Sequence, residues 1–449
     1  MIKMKKILCL MILSVVSLMA FSQYKPIELK APSRPKGQTD VIELRCAPIP
    51  NVRVAVIGLG NRGVGAVYRL SKIPTATVVA LCDVQQNYVD RAKGYLPNKV
   101  DTYTGAEDWK KICERDDIDL VYVCTHWDLH APIAVYAMKH GKHVALEVPA
   151  ALTIEECWDL VDTAEKTRRH CMMLENCNYD FFEMMTLNMA QQGVFGEIVH
   201  CEGAYIHDLR GEIFYPNAYW KDWRLQHNIK NKGNLYPTHG LGPIAHVMNI
   251  HRGDRMNQLV CVATDQFGLT EYAKETFGKD SEEAKIDYKH GDMSTTLIKT
   301  VKGKTMLIQH DVTNPRPYSR LHAISGTKGF AQKYPVEGLA LAPNTHEFMT
   351  GQQKDSVYAK YIHPISKEIG EVAKKVGGHG GMDFVMDYRL IYCLNHGLPL
   401  DMDVYDAAEW SCLVPLTKLS IENNNAPVII PDFTRGSWNK KNTVTYYTK

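Results

Sequence analysis

Val52-Arg53-Val54-Ala55-Val56-Ile57-Gly58-Leu59-Gly60-Asn61-Arg62-Gly63 is the stretch whose reading decides the fold. Val52–Ile57 is apolar almost throughout, as a strand buried on both faces must be. It feeds a glycine turn and then residues 64–70, which read as a helix start. In a G-x-G-x-x-G turn the first glycine, Gly58, permits the tight reversal. The second, Gly60, lets a pyrophosphate approach the main chain, and the third, Gly63, lets helix and strand pack closely. Phosphate then rests on the unpaired amides of the helix N-terminus, with Asn61 and Arg62 flanking it.

A second apolar strand, residues 77–82, ends in Asp83, twenty residues beyond Gly63. A carboxylate there accepts hydrogen bonds from the adenosine ribose hydroxyls, and it repels an added 2′-phosphate. Strand, turn, helix, strand and acid agree, so the chain is expected to bind a dinucleotide, NAD rather than NADP.

The 449 residues are 45% hydrophobic and 23% charged, ordinary for a globular chain, and a net charge of +2 argues against nucleic-acid and acidic-membrane binding. Residues 1–22 read as a Sec-type export signal. Lys3, Lys5 and Lys6 precede an apolar core at residues 7–16, and Ala20-Phe21-Ser22 supplies small residues for cleavage. The core is too short for a stable membrane span, and Cys9 lies within it rather than after it. No twin-arginine pair precedes it. The expected location is periplasmic or secreted. The cysteines show no C-x-x-C and no metal-ligand spacing, so no metal is expected and no disulfide framework is read.

Residues 23–50, rich in proline, read as an extended arm. From residue 51, strands at 120–124, 143–146 and 171–174 alternate with helices at 88–95, 131–140 and 154–168. This predicts an α/β Rossmann domain, a doubly wound parallel sheet, over residues 51–178. Residues 179–449 change character, with longer strands at 197–206, 257–264, 294–301, 305–312 and 321–325 and a turn at Val301-Lys302-Gly303-Lys304. These predict an α+β domain with a large antiparallel sheet, whose outer face could meet solvent or a second copy in a homodimer. Helices are expected at 382–395 and 404–420.

Glu147-Val148-Pro149 at a strand end, after a Rossmann domain and before an antiparallel sheet, resembles the sugar-oxidoreductase superfamily of glucose–fructose oxidoreductase and inositol dehydrogenase. Dehydrogenases of that group carry lysine where this chain has Val148. They also carry an aspartate and a histidine where Thr238 and Gly242 fall when Gly240 sets the register. The chain more closely resembles glycoside hydrolase family 109, the NAD-dependent α-N-acetylgalactosaminidases. The likeness rests on Gly60-Asn61-Arg62-Gly63, Trp127-Asp128-Leu129-His130, Glu147-Val148-Pro149, Tyr236-Pro237-Thr238-His239, Gly380-Gly381-Met382-Asp383 and Pro431-Asp432-Phe433-Thr434-Arg435-Gly436. Family members often have tryptophan at the position of Leu129, and often a twin-arginine signal.

That resemblance implies a glycosidase that keeps its NAD tightly bound and recycles it. Oxidation at carbon 3 of the sugar acidifies the hydrogen on carbon 2, the aglycone leaves by elimination, water adds, and the ketone is reduced again. The resemblance assigns acid–base work to His239, Tyr236 and Tyr318 without dividing the roles. It gives the sugar to Tyr205, Arg224, Tyr236, His239 and Tyr318, and the cofactor to Trp127, His130, Glu147, Val148, Asn176 and Tyr236 beside the glycine turn. Pro237 suits a first helical position, which would put Tyr236 and His239 on one face. Trp220 and Trp223 read as core, and His379 receives no role. A glycan is the expected partner. A sugar dehydrogenase and a non-catalytic sugar-binding relative are the alternatives.

Overall fold

The computed structural model describes residues 25–216 and 218–448. The expected export signal and the first two residues of the arm lie outside the described residues. From Lys25 the chain runs extended along the molecule. Ile27 bridges Val428, and Arg34 pairs with the buried Glu165 at 2.9 Å. No helix among the described residues is long and apolar enough to cross a membrane.

The first sheet contains β1 (Val52–Ile57), β2 (Ala76–Cys82), β3 (Asp101–Tyr103), β4 (Leu120–Val123), β5 (His143–Leu146) and β6 (Cys171–Met173). Their order is β3-β2-β1-β4-β5-β6, and every pairing is parallel. Helices α1 (Asn61–Leu70), α2 (Gln86–Lys93), α3 (Asp108–Cys113), α4 (His130–Lys139) and α5 (Ile154–Thr167) connect the strands. Every residue of β4 and β5 is buried, which is why both read as unbroken apolar runs. Thr153 and Glu156 close a capping box that starts α5. Strand order reverses between β1 and β4, and loops leaving these two strands part to form a crevice.

The second sheet has eight strands: β7 (Ile198–Ile206), β8 (Met256–Ala263), β9 (Ser294–Thr300), β10 (Thr305–Asp311), β11 (His322–Gly326), β12 (Gly329–Lys333), β13 (Gly338–Leu341) and β14 (Val428–Ile429). Their order is β13-β12-β11-β7-β10-β9-β8-β14. All neighbours are antiparallel except β7 and β10, which run parallel at the centre, so the sheet is mixed rather than wholly antiparallel. Those two strands are separated in sequence by helices and by the β8 and β9 strands, so no hairpin dictates their direction. Between β9 and β10 the hairpin falls at the expected turn, with Gly303 at φ +86°.

Helices α6 (Phe181–Gln191), α7 (Arg210–Phe214), α8 (Trp223–Lys230) and α9 (Thr238–Val247) surround the sheet. All ten residues of α9 are buried, and its main chain lies directly on β7. A Cβ at Gly203 would stand 2.0 Å from the Gly240 carbonyl oxygen, and one at Gly240 would stand 2.5 Å from the Ala204 nitrogen. Two facing glycines therefore set the helix-to-strand distance.

The helix Met382–His396 returns to the first sheet. Its buried Asp387 accepts from Arg69 Nε at 2.6 Å and from Tyr122 Oη at 2.8 Å. The expected helix over 404–420 is two helices, Val404–Ser411 and Leu413–Glu422, divided at Cys412. Pro415, in the first turn of the second, cannot donate back into a preceding helix.

Candidate active site

The turn after β1 is shaped by what its glycines exclude. Gly58 has φ +87°, and a Cβ there would meet the Cys124 carbonyl oxygen at 2.5 Å. A Cβ at Gly63 would sit 1.8 Å from the Gly58 oxygen, so α1 packs tightly onto the turn. Gly60, by contrast, faces open space. It caps α1 with no side-chain hydrogen bond, and the first helical turn carries no acid. The first amides of α1 are therefore left for an anionic ligand. At the end of β2, Asp83 accepts from the Leu59 amide at 2.6 Å and the Gln85 amide at 2.9 Å, which fixes its carboxylate on the crevice wall. The crevice has a volume of about 290 Å³. An open glycine edge, an uncapped helix N-terminus and a pinned acid together fit a dinucleotide.

A second cavity of about 240 Å³ adjoins it, and Asn61, Arg62, Thr125, Tyr219 and Trp223 line both. Trp127, His130, Glu147, Val148, Asn176, Tyr205, Arg224, Tyr236 and His239 are all on its wall. The residues that the sequence assigned to cofactor and sugar thus converge where the two spaces meet. Tyr318 stands at the rim, 42% exposed, with its ring 5.7 Å from the Arg320 guanidinium and 5.1 Å from the His207 ring, and both of these neighbours pack against Tyr205.

Arg62 is tied in place at this junction. Its Nε and Nη2 donate to Glu147 Oε1 at 2.9 and 2.6 Å, and its Nη1 donates to Asp383 Oδ2 at 2.9 Å. Asn176 donates to the other Asp383 oxygen at 2.6 Å, and His379 approaches the same carboxylate at 2.9 Å. Burial alone would raise the Asp383 pKa, but Arg62, His379 and Arg69 hold it well below the usual carboxylate range. His379, given no role from sequence, is therefore part of the junction. His130 is spent on the main chain: its ring nitrogens lie 2.7 Å from the Pro149 oxygen and 3.0 Å from the Thr125 oxygen. It braces the loops after β4 and β5.

Pro237 precedes α9 as its N-cap rather than occupying the first helical position. The expected pairing holds nevertheless, with the Tyr236 and His239 rings 4.9 Å apart. Tyr205, on β7, completes a triangle at 5.0 Å from Tyr236 and 5.2 Å from His239. The Arg224 guanidinium lies 5.1 Å from the Tyr236 ring and 5.4 Å from the Trp127 ring, and it donates to Tyr219 Oη at 3.1 Å. Arg320 faces Tyr205 from the other side, 5.7 Å from its ring.

His239 Nδ1 donates to Glu175 Oε1 at 2.6 Å. A carboxylate only accepts, so Nδ1 carries the hydrogen and Nε2 presents a lone pair. Burial pushes the His239 pKa below its ordinary value, and Glu175 partly pulls it back. Burial likewise opposes the charge on Glu175, but His239 more than offsets this and keeps the carboxyl below its ordinary range. The result at neutral pH is a neutral imidazole backed by a carboxylate, which is the arrangement of a proton acceptor. Burial raises the pKa of Tyr236 and of Tyr205, so both phenols keep their protons and donate.

Glu175 and Arg320 were not found from sequence. Glu175 lies two residues past the end of β6, at the carboxyl edge where ligand-facing groups gather, next to the already singled-out Asn176. Gly242, in the register of the dehydrogenase histidine, has no room for a side chain, because a Cβ would meet Glu175 Cγ at 2.7 Å and Asn178 Oδ1 at 2.5 Å. Trp220, 40% exposed, is wall rather than core, whereas Trp223 packs against the buried Trp127, Leu235 and Val414 as expected and also borders the crevice.

Comparison with known proteins agrees with both halves. Residues 179–440 match the C-terminal domain model of glycosyl hydrolase 109, and residues 52–175 match the oxidoreductase family with an NAD-binding Rossmann fold. The chain is 54% identical over 438 residues to glycosyl hydrolase family 109 protein 1 of Bacteroides thetaiotaomicron, covering 93% of this chain and 92% of that protein. It is 55% identical over 419 residues to an alpha-N-acetylgalactosaminidase of Bacteroides fragilis, covering 92% and 98%. Among solved structures, levoglucosan dehydrogenase in complex with NADH and levoglucosan superposes with a TM-score of 0.65 at 18% identity, covering 85% of this chain and 100% of that one. At that identity the likeness concerns the fold.

Proposed function

We propose, from the premise that this chain belongs to glycosyl hydrolase family 109, that it removes terminal α-linked N-acetylgalactosamine from glycans using a bound and recycled NAD. The observation that carries this reading is the shared wall. The dinucleotide crevice opens onto a cavity where a neutral, carboxylate-backed histidine stands beside two protonated tyrosines. A conventional glycosidase needs two free carboxyl groups across its substrate. Here Glu147 is committed to Arg62, and Glu212, the other acid on the wall, sits exposed at the rim beside Tyr219.

When bound, NAD supplies a reversible hydride acceptor for carbon 3 of the sugar, which acidifies the neighbouring carbon 2 and permits elimination of the aglycone. Residues of the glycine turn, with Asp83, Arg62, Glu147 and Asn176, would hold the cofactor. His239 Nε2 takes the proton that acidification releases, and Glu175 stabilises the imidazolium that results. Tyr236 and Tyr205 donate hydrogen bonds to the developing oxyanion. Arg224, fixed among aromatic rings, donates to the acetamido carbonyl, while Tyr318 meets the sugar at the rim.

The basic, apolar and small-residue pattern of residues 1–22 supports export through a Sec-type route. Val199, Val262 and Leu297 are exposed on the second sheet and support a homodimer across that face. Purified protein should hydrolyse 4-nitrophenyl α-N-acetylgalactosaminide without added NAD and without net NADH. Accumulation of one NADH per sugar consumed would overturn the glycosidase reading in favour of a dehydrogenase.

A further inference from the structure

On the outer side of Trp223 lies an open groove of about 650 Å³, larger than the catalytic cavity and unused by the chemistry described above. Four lysines, Lys221, Lys230, Lys232 and Lys418, line it. The Lys221 ammonium lies 5.4 Å from the Trp220 ring, while no carboxylate pairs with Lys230, Lys232 or Lys418 among the described residues. Among the described residues Asp128 is the one acid on the groove wall, and it is already engaged. His126 and His227 both hydrogen-bond its Oδ2, at 3.2 and 3.1 Å, and hold its carboxyl well below the usual range. The groove wall therefore carries a net positive charge in a concave setting, where field lines concentrate.

Its other surfaces suit a carbohydrate. Trp220 and Trp223 offer ring faces and edges for apolar sugar surfaces, and Gln226 and Asn231 add amide donors and acceptors for hydroxyls. His126, Trp220 and Trp223 line both this groove and the dinucleotide crevice, and Trp223 also lines the catalytic cavity, so the groove meets the cavity at Trp223, where the next units of a saccharide held in the cavity would lie. We infer that this groove binds an acidic sugar, sulfated or carboxylated, in the aglycone of the substrate. An acidic peptide would leave the tryptophan faces without a flat apolar partner. The inference rests on the glycosidase reading and adds to it a class of natural substrate.

The test compares kcat/KM for α-N-acetylgalactosaminyl-galactose with its analogue carrying a 6-sulfate on the galactose, and with one carrying a sialyl carboxylate. The enzyme forms are wild type and the Lys230→Glu/Lys232→Glu/Lys418→Glu variant, both NAD-loaded. Wild type should prefer an acidic substrate by about tenfold or more at low salt, with the preference shrinking as ionic strength rises. The two acidic probes distinguish sulfate from carboxylate recognition. In the variant the preference should vanish or reverse, while turnover of 4-nitrophenyl α-N-acetylgalactosaminide, whose aglycone carries no anionic group, stays at the wild-type level. Equal kcat/KM for neutral and acidic substrates in wild type, or a preference that survives in the variant, would overturn the inference. Loss of the glycosidase reading itself would appear separately, as no hydrolysis of the nitrophenyl substrate by wild type.

Discussion

Replacing Glu175 by Gln removes one negative charge from beside His239 while keeping the shape of the side chain. The carboxylate is fully buried and its oxygen lies 2.6 Å from Nδ1, so almost no solvent screens the pair. Before proton transfer this is a hydrogen bond from a neutral ring; afterwards it joins an imidazolium to a carboxylate. Glu175 therefore stabilises the transition state more than the ground state. Charge-assisted hydrogen bonds exceed neutral ones by about 1–2 kcal/mol, which corresponds to about a fivefold to thirtyfold fall in kcat. The pH profile carries a second, independent signature. His239 accepts a proton only when neutral, so activity rises as pH climbs through its pKa. Burial holds that pKa low, and Glu175 raises it partway back. Without the negative charge the pKa drops further, so in Glu175→Gln the acidic limb should move to lower pH while the plateau falls. The assay is kcat/KM for the nitrophenyl glycoside across pH, with bound NAD measured in parallel to show that the cofactor site is intact. A plateau within about twofold of wild type and an unmoved acidic limb would refute the assignment of His239 and Glu175 as an acid–base pair.

Asp83→Ser should weaken NAD binding by about tenfold or more and narrow the discrimination against NADP, because in the proposed role the carboxylate would accept from the ribose and repel a 2′-phosphate; fluorescence titration with the two cofactors measures it. An unchanged ratio of the two affinities would contradict the role. Gly203→Ala should destabilise the fold by about 1–3 kcal/mol in thermal or denaturant unfolding, since the new Cβ meets the Gly240 oxygen at 2.0 Å. It should also lower kcat in the folded fraction by displacing α9, which carries His239; wild-type stability and rate together would show that the close approach is not needed.

The nucleotide-binding half was legible because its signals are local. β4 and β5 read as apolar runs, Gly58, Gly60 and Gly63 fall in one turn, and Asp83 ends the next strand. The second half was less so. The strands from 197 to 325 were readable, but β12, β13 and β14 are short and lack a sustained alternating pattern. The parallel β7–β10 pair joins segments about a hundred residues apart, which local pattern does not encode. His239, Tyr236, Tyr205 and Arg224 came from motif likeness, and the structure brings them to one cavity. Glu175 escaped because a lone glutamate is ordinarily a surface residue, and its reason for burial, His239, is 64 residues away. Arg320 escaped for the same reason, and Asp383, although part of a quoted motif, received no role, each being a charge with partners on other elements.

The fate of the hydrogen at carbon 2 distinguishes elimination from displacement most directly. Hydrolysis of an α-N-acetylgalactosaminide by the wild-type protein in deuterium oxide, followed by NMR of the released sugar, should show deuterium at that carbon. Complete retention of protium there would contradict proton abstraction by His239 and point to direct displacement at carbon 1.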